Sequence, residues 1–327
     1  MGGDMAGKMS GGMAEKWITV LGSFVADLAF RTKRIPAWGE TVLGSGFALG
    51  PGGKGSNQAV AARRLGLNVS FISKLGRDAF GDLARRTYER EGIDAEYVFE
   101  TEQYATGGAA IIIDEARGEN AIIVVPGACY EVTPAEIDRA RARIASSATF
   151  LTQLELRIPS VEHGLKAAHE LGVPTILNPA PAVALPESVY GLCDYLTPNE
   201  SEAATLTGLP VTNIAEADRA ASALLERGVR NVALTLGERG ALVKNADLTE
   251  HVPAVDAGPV VETTGAGDAF SGGFAVALAE GKDIVAATRF ACAAAGISVT
   301  RAGTAPSMPR RAEVDAIMER CTGRSGD

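Results

Sequence analysis

The chain has 327 residues, is 46% hydrophobic, carries a formal net charge of −9, and holds no apolar run of the ~18 residues that would span a membrane. A chain of this length buries one large α/β core, or a core plus a small subdomain. The acidic balance argues against nucleic acid or an anionic membrane surface as a partner, although local N–H groups and a metal can hold a nucleotide whatever the global charge.

Residues 1–15 contain several Gly and Met but no apolar signal-peptide core, and they read as a disordered leader ahead of a single domain at 16–327. Strands are predicted at 17–21, 69–73, 149–154, 174–177, 194–196 and 231–236, and helices at 56–65, 78–91, 134–144, 161–171 and 215–227. The alternation predicts a doubly wound, mostly parallel sheet with helices on both faces. Two segments break the rhythm and are expected to protrude from that sheet. Residues 25–50 carry Pro36, Gly39, Gly44 and Gly46 among β-rich pieces, and residues 106–125 read as a hairpin with strands at 109–113 and 121–125. Cys129, Cys193, Cys292 and Cys321 are scattered with no C-x-x-C pair, which suits a reducing cytoplasm and implies neither a disulfide framework nor a zinc site. His163, His169 and His251 have no zinc spacing.

The most informative stretch is Glu262-Thr263-Thr264-Gly265-Ala266-Gly267-Asp268-Ala269-Phe270, where small residues run into an aspartate and then a helix pattern. A loop so free of side chains lets the amides of Gly265, Ala266 and Gly267 converge at a helix N-terminus, where the dipole also favours an anion. Asp268 beside such an anion hole makes sense as a base that takes a proton from a hydroxyl attacking a phosphoryl group. The plain alternative is a glycine-rich loop with a helix-capping Asp.

A second glycine-rich turn, at 52–55, enters an Ala-rich helix that stops at Gly66. Gly50-Pro51-Gly52-Gly53-Lys54-Gly55 fits the dinucleotide fingerprint in letters, but no good buried strand precedes it and Pro51 sits in the turn. The P-loop reading fails because Gly55, not Ser or Thr, follows Lys54.

Together the two segments resemble the two signature regions of the PfkB (ribokinase-like) carbohydrate kinase family. The resemblance runs from about Trp17 to about Glu319 and includes, in order, Gly22-Ser23 with Asp27, Gln153-Leu154-Glu155, Asn178-Pro179-Ala180-Pro181, Thr197-Pro198-Asn199-Glu200-Ser201-Glu202, Thr235-Leu236-Gly237 and Gly303-Thr304-Ala305-Pro306-Ser307. Gly-Gly-Lys-Gly-Ser-Asn-Gln, Asn-Pro-Ala-Pro and Thr-Pro-Asn-Glu look most like the ribokinase branch.

The resemblance implies an α/β ribokinase-like fold whose protruding segments, about 25–50 and 106–125, form a small β-sheet lid over the sugar and a homodimer contact. It implies that Asp27, Gly53, Lys54, Asn57 and Glu155 grip the sugar, with Asp268 as base. Asn199, Thr235, Gly237, Gly240 and Gly267 would hold ATP, and Glu202 would act on Mg²⁺ through water. Glu262, carbonyls near Thr264, Ser298, Arg301 and Gly303, and Ser307 would hold a monovalent cation, K⁺. Two positions depart from the family pattern. Val25 stands where ribokinases often carry Asn, and Glu262 where an Asp commonly serves the cation site.

The expected function is an ATP-dependent sugar kinase acting on a primary hydroxyl of ribose or a related pentose or ketose. A nucleoside kinase on the same scaffold is the alternative that Val25 weakly allows. A non-catalytic sugar-binding protein is the remote one, since pure binding gains nothing from a base beside an anion hole.

Overall fold

The computed structural model describes residues 16–117 and 119–323, so the leader expected at 1–15 lies outside the described residues. The strands are β1 (Trp17–Leu21), β2 (Val25–Thr32), β3 (Gly46–Gly52), β4 (Asn68–Gly76), β5 (Val98–Thr101), β6 (Thr106–Asp114), β7 (Glu119–Gly127), β8 (Thr149–Gln153), β9 (Thr175–Asn178), β10 (Tyr195–Leu196), β11 (Asn231–Thr235), β12 (Ala241–Lys244) and β13 (Thr249–Val252). Nine of them form one sheet in the order β13-β12-β11-β10-β9-β8-β1-β4-β5. It is parallel from β11 through β5, and β12 and β13 close one end as antiparallel strands.

The centre of this sheet is apolar on both sides, as a sheet covered by two helical layers must be. All five residues of β8 are buried. On one face Ile18, Val20 and Phe71 pack with the helices Lys54–Arg64, Ala266–Ala279 and Ile284–Ser298. On the other, Leu21, Ile72 and Phe150 pack with Ile158–Glu170 and Ile214–Glu226. Each fully buried Phe, Leu or Ile contributes about 1.5–3 kcal/mol by leaving water.

Helix Lys54–Arg64 is buried at every position from Gly55 to Ala62, so its run of small residues is a packing requirement. A Cβ on Gly272 of the neighbouring helix would stand 2.7 Å from the Ala61 Cβ. Small side chains on both helices are what let their axes come so close.

The second sheet has the order β3-β2-β6-β7, with β2 and β6 parallel and both outer pairs antiparallel. It is built from the two segments that break the strand–helix rhythm, and the hairpin at 106–125 forms as expected, with Asp114 opposite Glu119 at its tip.

Several elements differ from the sequence expectation. The helix expected at 134–144 is two short helices, Pro134–Arg139 and Arg141–Ala145. The first closes with a tight turn in which the Ala140 N–H donates to the Ile137 carbonyl, and Ala140 itself takes φ −91° and ψ 3°. The strand expected at 194–196 shrinks to Tyr195–Leu196 because the Asp194 carboxylate accepts from the Thr175 N–H. Strands β5, β12 and β13 do not stand out in the apolar pattern. Both β5 and β13 are short edge strands that mix polar and apolar residues, as exposed edges do. Among the described residues no helix is long and apolar enough to cross a membrane.

Candidate active site

The carboxyl ends of β1, β8, β9, β10 and β11 all open on one edge of the large sheet, where open parallel sheets bind ligands. From these ends come Ser23, Glu155, Asn178, Asn199 and the turn at Gly237. The helix N-termini at Lys54 and Ala266 meet them there. A cavity of about 150 Å³ lies between these parts, lined among others by Lys54, Asn199, Glu202, Thr235, Gly265, Gly267 and Asp268.

Helix Ala266–Ala279 begins two residues before Asp268, so Asp268 is in the first turn, not at the cap. The cap is Gly265 with φ 87°, a left-handed conformation that a side chain would strain. The Ala266 N–H donates to the Thr263 carbonyl at 3.2 Å. Of the three expected anion-hole amides, Gly265 and Gly267 are the two on residues that line the cavity.

Asp268 is 6% exposed, and both of its oxygens are held. The Asn57 Nδ2 donates to Oδ2 at 2.9 Å and the Gln58 Nε2 donates to Oδ1 at 3.0 Å. Both donors project from the first turns of the Lys54–Arg64 helix, which reaches this depth because Gly55 lies against Gly22. A Cβ on Gly55 would sit 2.5 Å from the Gly22 Cα, so neither position has room for a side chain. The Asn57 Oδ1 is buried and has no protein partner.

Glu155 sits at the N-terminus of the same helix. Its Oε2 accepts from the Lys54 N–H at 2.9 Å and from the Ser23 hydroxyl. Asp27 lies on β2 at the base of the lid, and its Oδ2 accepts from the Thr304 hydroxyl at 3.0 Å. Burial pushes the Asp27 carboxyl up to about 6. The nearby Glu155, Asp268 and Glu262 carboxylates push the same way, while the Thr304 hydrogen bond pulls against them. Lys54 is the positive charge among these acids. Burial works against its ammonium, but Asp268, Glu155 and Glu202 together outweigh that and hold its pKa above the ordinary lysine value.

Among the residues expected to hold ATP, Asn199 caps the helix Glu200–Thr207. Its side chain accepts from the Glu202 N–H, and Glu202 Oε2 accepts from the Asn199 N–H, each at 2.8 Å. Burial raises the Glu202 pKa above that of an ordinary glutamate, with the Asn199 amide and Lys54 pulling it down and Asp268 pushing it up. Thr235 bridges to the same loop through its N–H on the Pro198 carbonyl. Gly237 and Gly240 bracket the turn that follows β11, and Glu200 points away to pair with Arg239 at 2.6 Å.

The residues expected at the cation site also share one region. The Glu262 Oε2 accepts from the Gly303 N–H at 2.9 Å, and the Ser307 hydroxyl donates to the Thr304 carbonyl at 2.7 Å. The Ser298 hydroxyl turns back to the Ala295 carbonyl. Arg301 uses its side chain on Glu313, leaving only its carbonyl for the loop. Thr264 precedes the capping Gly265 on the same loop.

The sequence pattern assigns no role to Gln58, Gln153 or Thr304. Each lies inside a matched motif, but what it does depends on a contact 95 to 277 residues away, which no local pattern encodes.

The chain is similar to known carbohydrate kinases in sequence and in fold. Residues 16–311 match the model of the pfkB family carbohydrate kinases. The chain is 39% identical over 304 residues to a ribokinase of Haemophilus influenzae, covering 93% of this chain and 99% of the relative. It is 38% identical over 293 residues to a deoxyribokinase of Salmonella typhi, covering 89% and 95%. The solved structure of an Arabidopsis thaliana ribokinase complexed with ribose and ATP superposes with a TM-score of 0.87 at 31% identity, over 94% of this chain and 99% of that one. The chain belongs to the pfkB family of carbohydrate kinases.

Proposed function

We propose that this kinase transfers the γ-phosphoryl group of ATP to the primary hydroxyl of ribose or a closely related pentose. The observation that carries this is the position of Asp268, a buried carboxylate in the first turn of a helix whose N-terminal Gly265 and Gly267 line the same cavity. Asp27, Glu155 and the unpartnered Asn57 Oδ1 supply acceptors for sugar hydroxyls, which donate in fixed directions. The hydroxyl oxygen bonds to the γ-phosphorus as its proton passes to Asp268, and the bond from that phosphorus to the ADP oxygen breaks. Little covalent help is needed beyond positioning and charge compensation. The Gly265 and Gly267 amides and the Lys54 ammonium face the negative charge on the moving group.

Mg²⁺ accompanying ATP would spread phosphate charge, and Glu202 is placed to act on its water shell, with one oxygen on the Asn199 N–H and the other left over. A monovalent cation, K⁺ by expectation, would be held by the loop carbonyls at Thr264, Ser298, Arg301 and Gly303 with Ser307. Glu262 already shapes that loop through Gly303.

Val25 is 2% exposed and pairs with Gly52 and Gly107 where the lid joins the site. An apolar side chain there offers no hydrogen bond to a sugar hydroxyl, which favours 2-deoxyribose as a second substrate. A second copy of this chain is the proposed partner. The lid carries Phe47, Ile123 and Val125 at about 60–67% exposure, and its Phe30 and Phe47 rings lie 5.0 Å apart, an apolar face that a small sheet cannot bury alone. A cytoplasmic site of action, where ATP and free pentose meet, goes with this function. Phosphorus NMR of the product tests it: a phosphate on the primary hydroxyl is expected, and a phosphate on the anomeric or a secondary hydroxyl would refute the assignment.

A further inference from the structure

Beside Asp268 lies a set of buried amides, of which Asn178 lines the cavity while Gln58 and Gln153 do not. Gln58 is fully buried, and Gln153 and Asn178 are 1% and 5% exposed. The Gln153 Nε2 donates to the Gln58 Oε1 at 2.6 Å. One Gln58 N–H then donates to Asp268 Oδ1 and the other to Asn178 Oδ1, each at 3.0 Å. Asn178 is oriented in turn by donating to the Thr197 carbonyl at 2.9 Å. Every hydrogen-bonding position of the Gln58 amide except a second lone pair is thus used, and the amide cannot flip without breaking all three bonds.

We infer that Gln58, locked by Gln153, is a positioning residue that holds Asp268 turned toward the attacking hydroxyl and away from the Lys54 ammonium. The physical need is plain. Lys54 and Asp268 line the same cavity, and a buried carboxylate free to rotate would pair with that ammonium. Asp268 paired in that way would be a weaker acceptor, pointing at the wrong partner. Two amide donors, one from Asn57 and one from Gln58, each hold a different oxygen and so fix the carboxylate plane, which leaves the remaining lone pairs for the attacking hydroxyl. Amides do this without adding charge, so the proton that Asp268 receives is not opposed by a further fixed cation. The inference rests on Asp268 being the base.

The test is steady-state kinetics of Gln58→Glu against pH, with ATP affinity measured separately. The introduced carboxylate, when ionised, offers no donor and repels Asp268, whereas its protonated form restores an O–H donor to the same oxygen. The expected result is a kcat about 100-fold below wild type at pH 8.5, with KM for sugar and Kd for ATP within about 3-fold, and a deficit shrinking to below about 10-fold at pH 6. A deficit that is constant with pH, or no deficit, would overturn the inference. Should Gln58→Glu not fold, Gln153→Met removes the donor that holds the Gln58 Oε1 and so loosens the Gln58 amide from Asp268, while the Asn57 donor stays in place. It should lower kcat about 10-fold with little change in KM; unchanged kcat would overturn the inference equally. Asp268→Asn is the control. If it alone is inactive, failure in the glutamine variants belongs to the positioning role; if it retains turnover, the base assignment itself falls.

Discussion

The Thr304 hydroxyl donates to the Asp27 carboxylate across 277 residues of sequence, at 3.0 Å, and so ties the loop that follows Gly303 to strand β2. Burial lifts the Asp27 carboxyl to about 6 in spite of that contact. If Asp27 grips the sugar as proposed, it must be ionised to accept from two hydroxyls. The kcat/KM for sugar should therefore fall as pH drops through about 6. Thr304→Val removes the one contact that lowers this pKa and should move the acid limb to higher pH. A limb that stays in place would show that Thr304 does not tune Asp27.

The same shift has a consequence for stability. An acid whose pKa rises on folding holds its proton in the native state after the unfolded chain has lost it, so stability falls as pH climbs from about 4 to about 6. Above that window the ionised Asp27 is a standing cost. Asp27→Asn should raise the melting temperature at pH 7.5, by roughly 1–3 kcal/mol in unfolding free energy, while sugar turnover is lost. Thermal melts of the two proteins at pH 7.5 and pH 4 check this, and the gain should be smaller at pH 4.

Gly55 and Gly22 set how far the Lys54–Arg64 helix enters the site. Gly55→Ala places a methyl 2.5 Å from the Gly22 Cα, and backbone cannot yield as a flexible side chain does. Destabilisation of about 1–3 kcal/mol is expected, with kcat reduced because Asn57 and Gln58 are displaced from Asp268. Urea unfolding with a parallel assay measures both effects.

If K⁺ acts at the loop shaped by Glu262, Gly303 and Ser307, replacing K⁺ with tetramethylammonium should lower kcat at saturating substrates. The lost activity should return on adding K⁺. A rate indifferent to the cation would remove K⁺ from the mechanism. For the lid, Ile123→Asp should convert a dimer into a monomer in sedimentation velocity, since it places a charge on the most exposed part of the apolar strand. A wild-type monomer would remove the lid contact.

The parts legible in the sequence are those that local chemistry dictates. Glycine next to Asp268 and the small residues from Gly55 to Ala62 can be read directly, because backbone approach and helix packing demand them. The central strands are visible as apolar runs since both their faces are covered. The edge strands β5 and β13 are not, because nothing packs on them strongly enough to impose a pattern. Within the site, Asp268, Glu155 and Asn199 fall where the motif strings place them. The coupling between segments is what cannot be read. Gln153 on Gln58 and Thr304 on Asp27 are pairs that only the folded chain brings together. The break at Ala140 is likewise hidden, since Ile137 and Ile144 keep helical spacing through it.

The most direct test is ADP release from Mg·ATP with ribose, 2-deoxyribose, other pentoses and ketoses, and a set of nucleosides, run on the wild-type protein and on Asp268→Asn. Turnover with ribose or 2-deoxyribose is expected in the wild type. It should fall by on the order of 10³-fold or more in Asp268→Asn, with ATP binding retained. Turnover with nucleosides alone, or sugar turnover that survives Asp268→Asn, would contradict a pentose kinase in which Asp268 takes the proton.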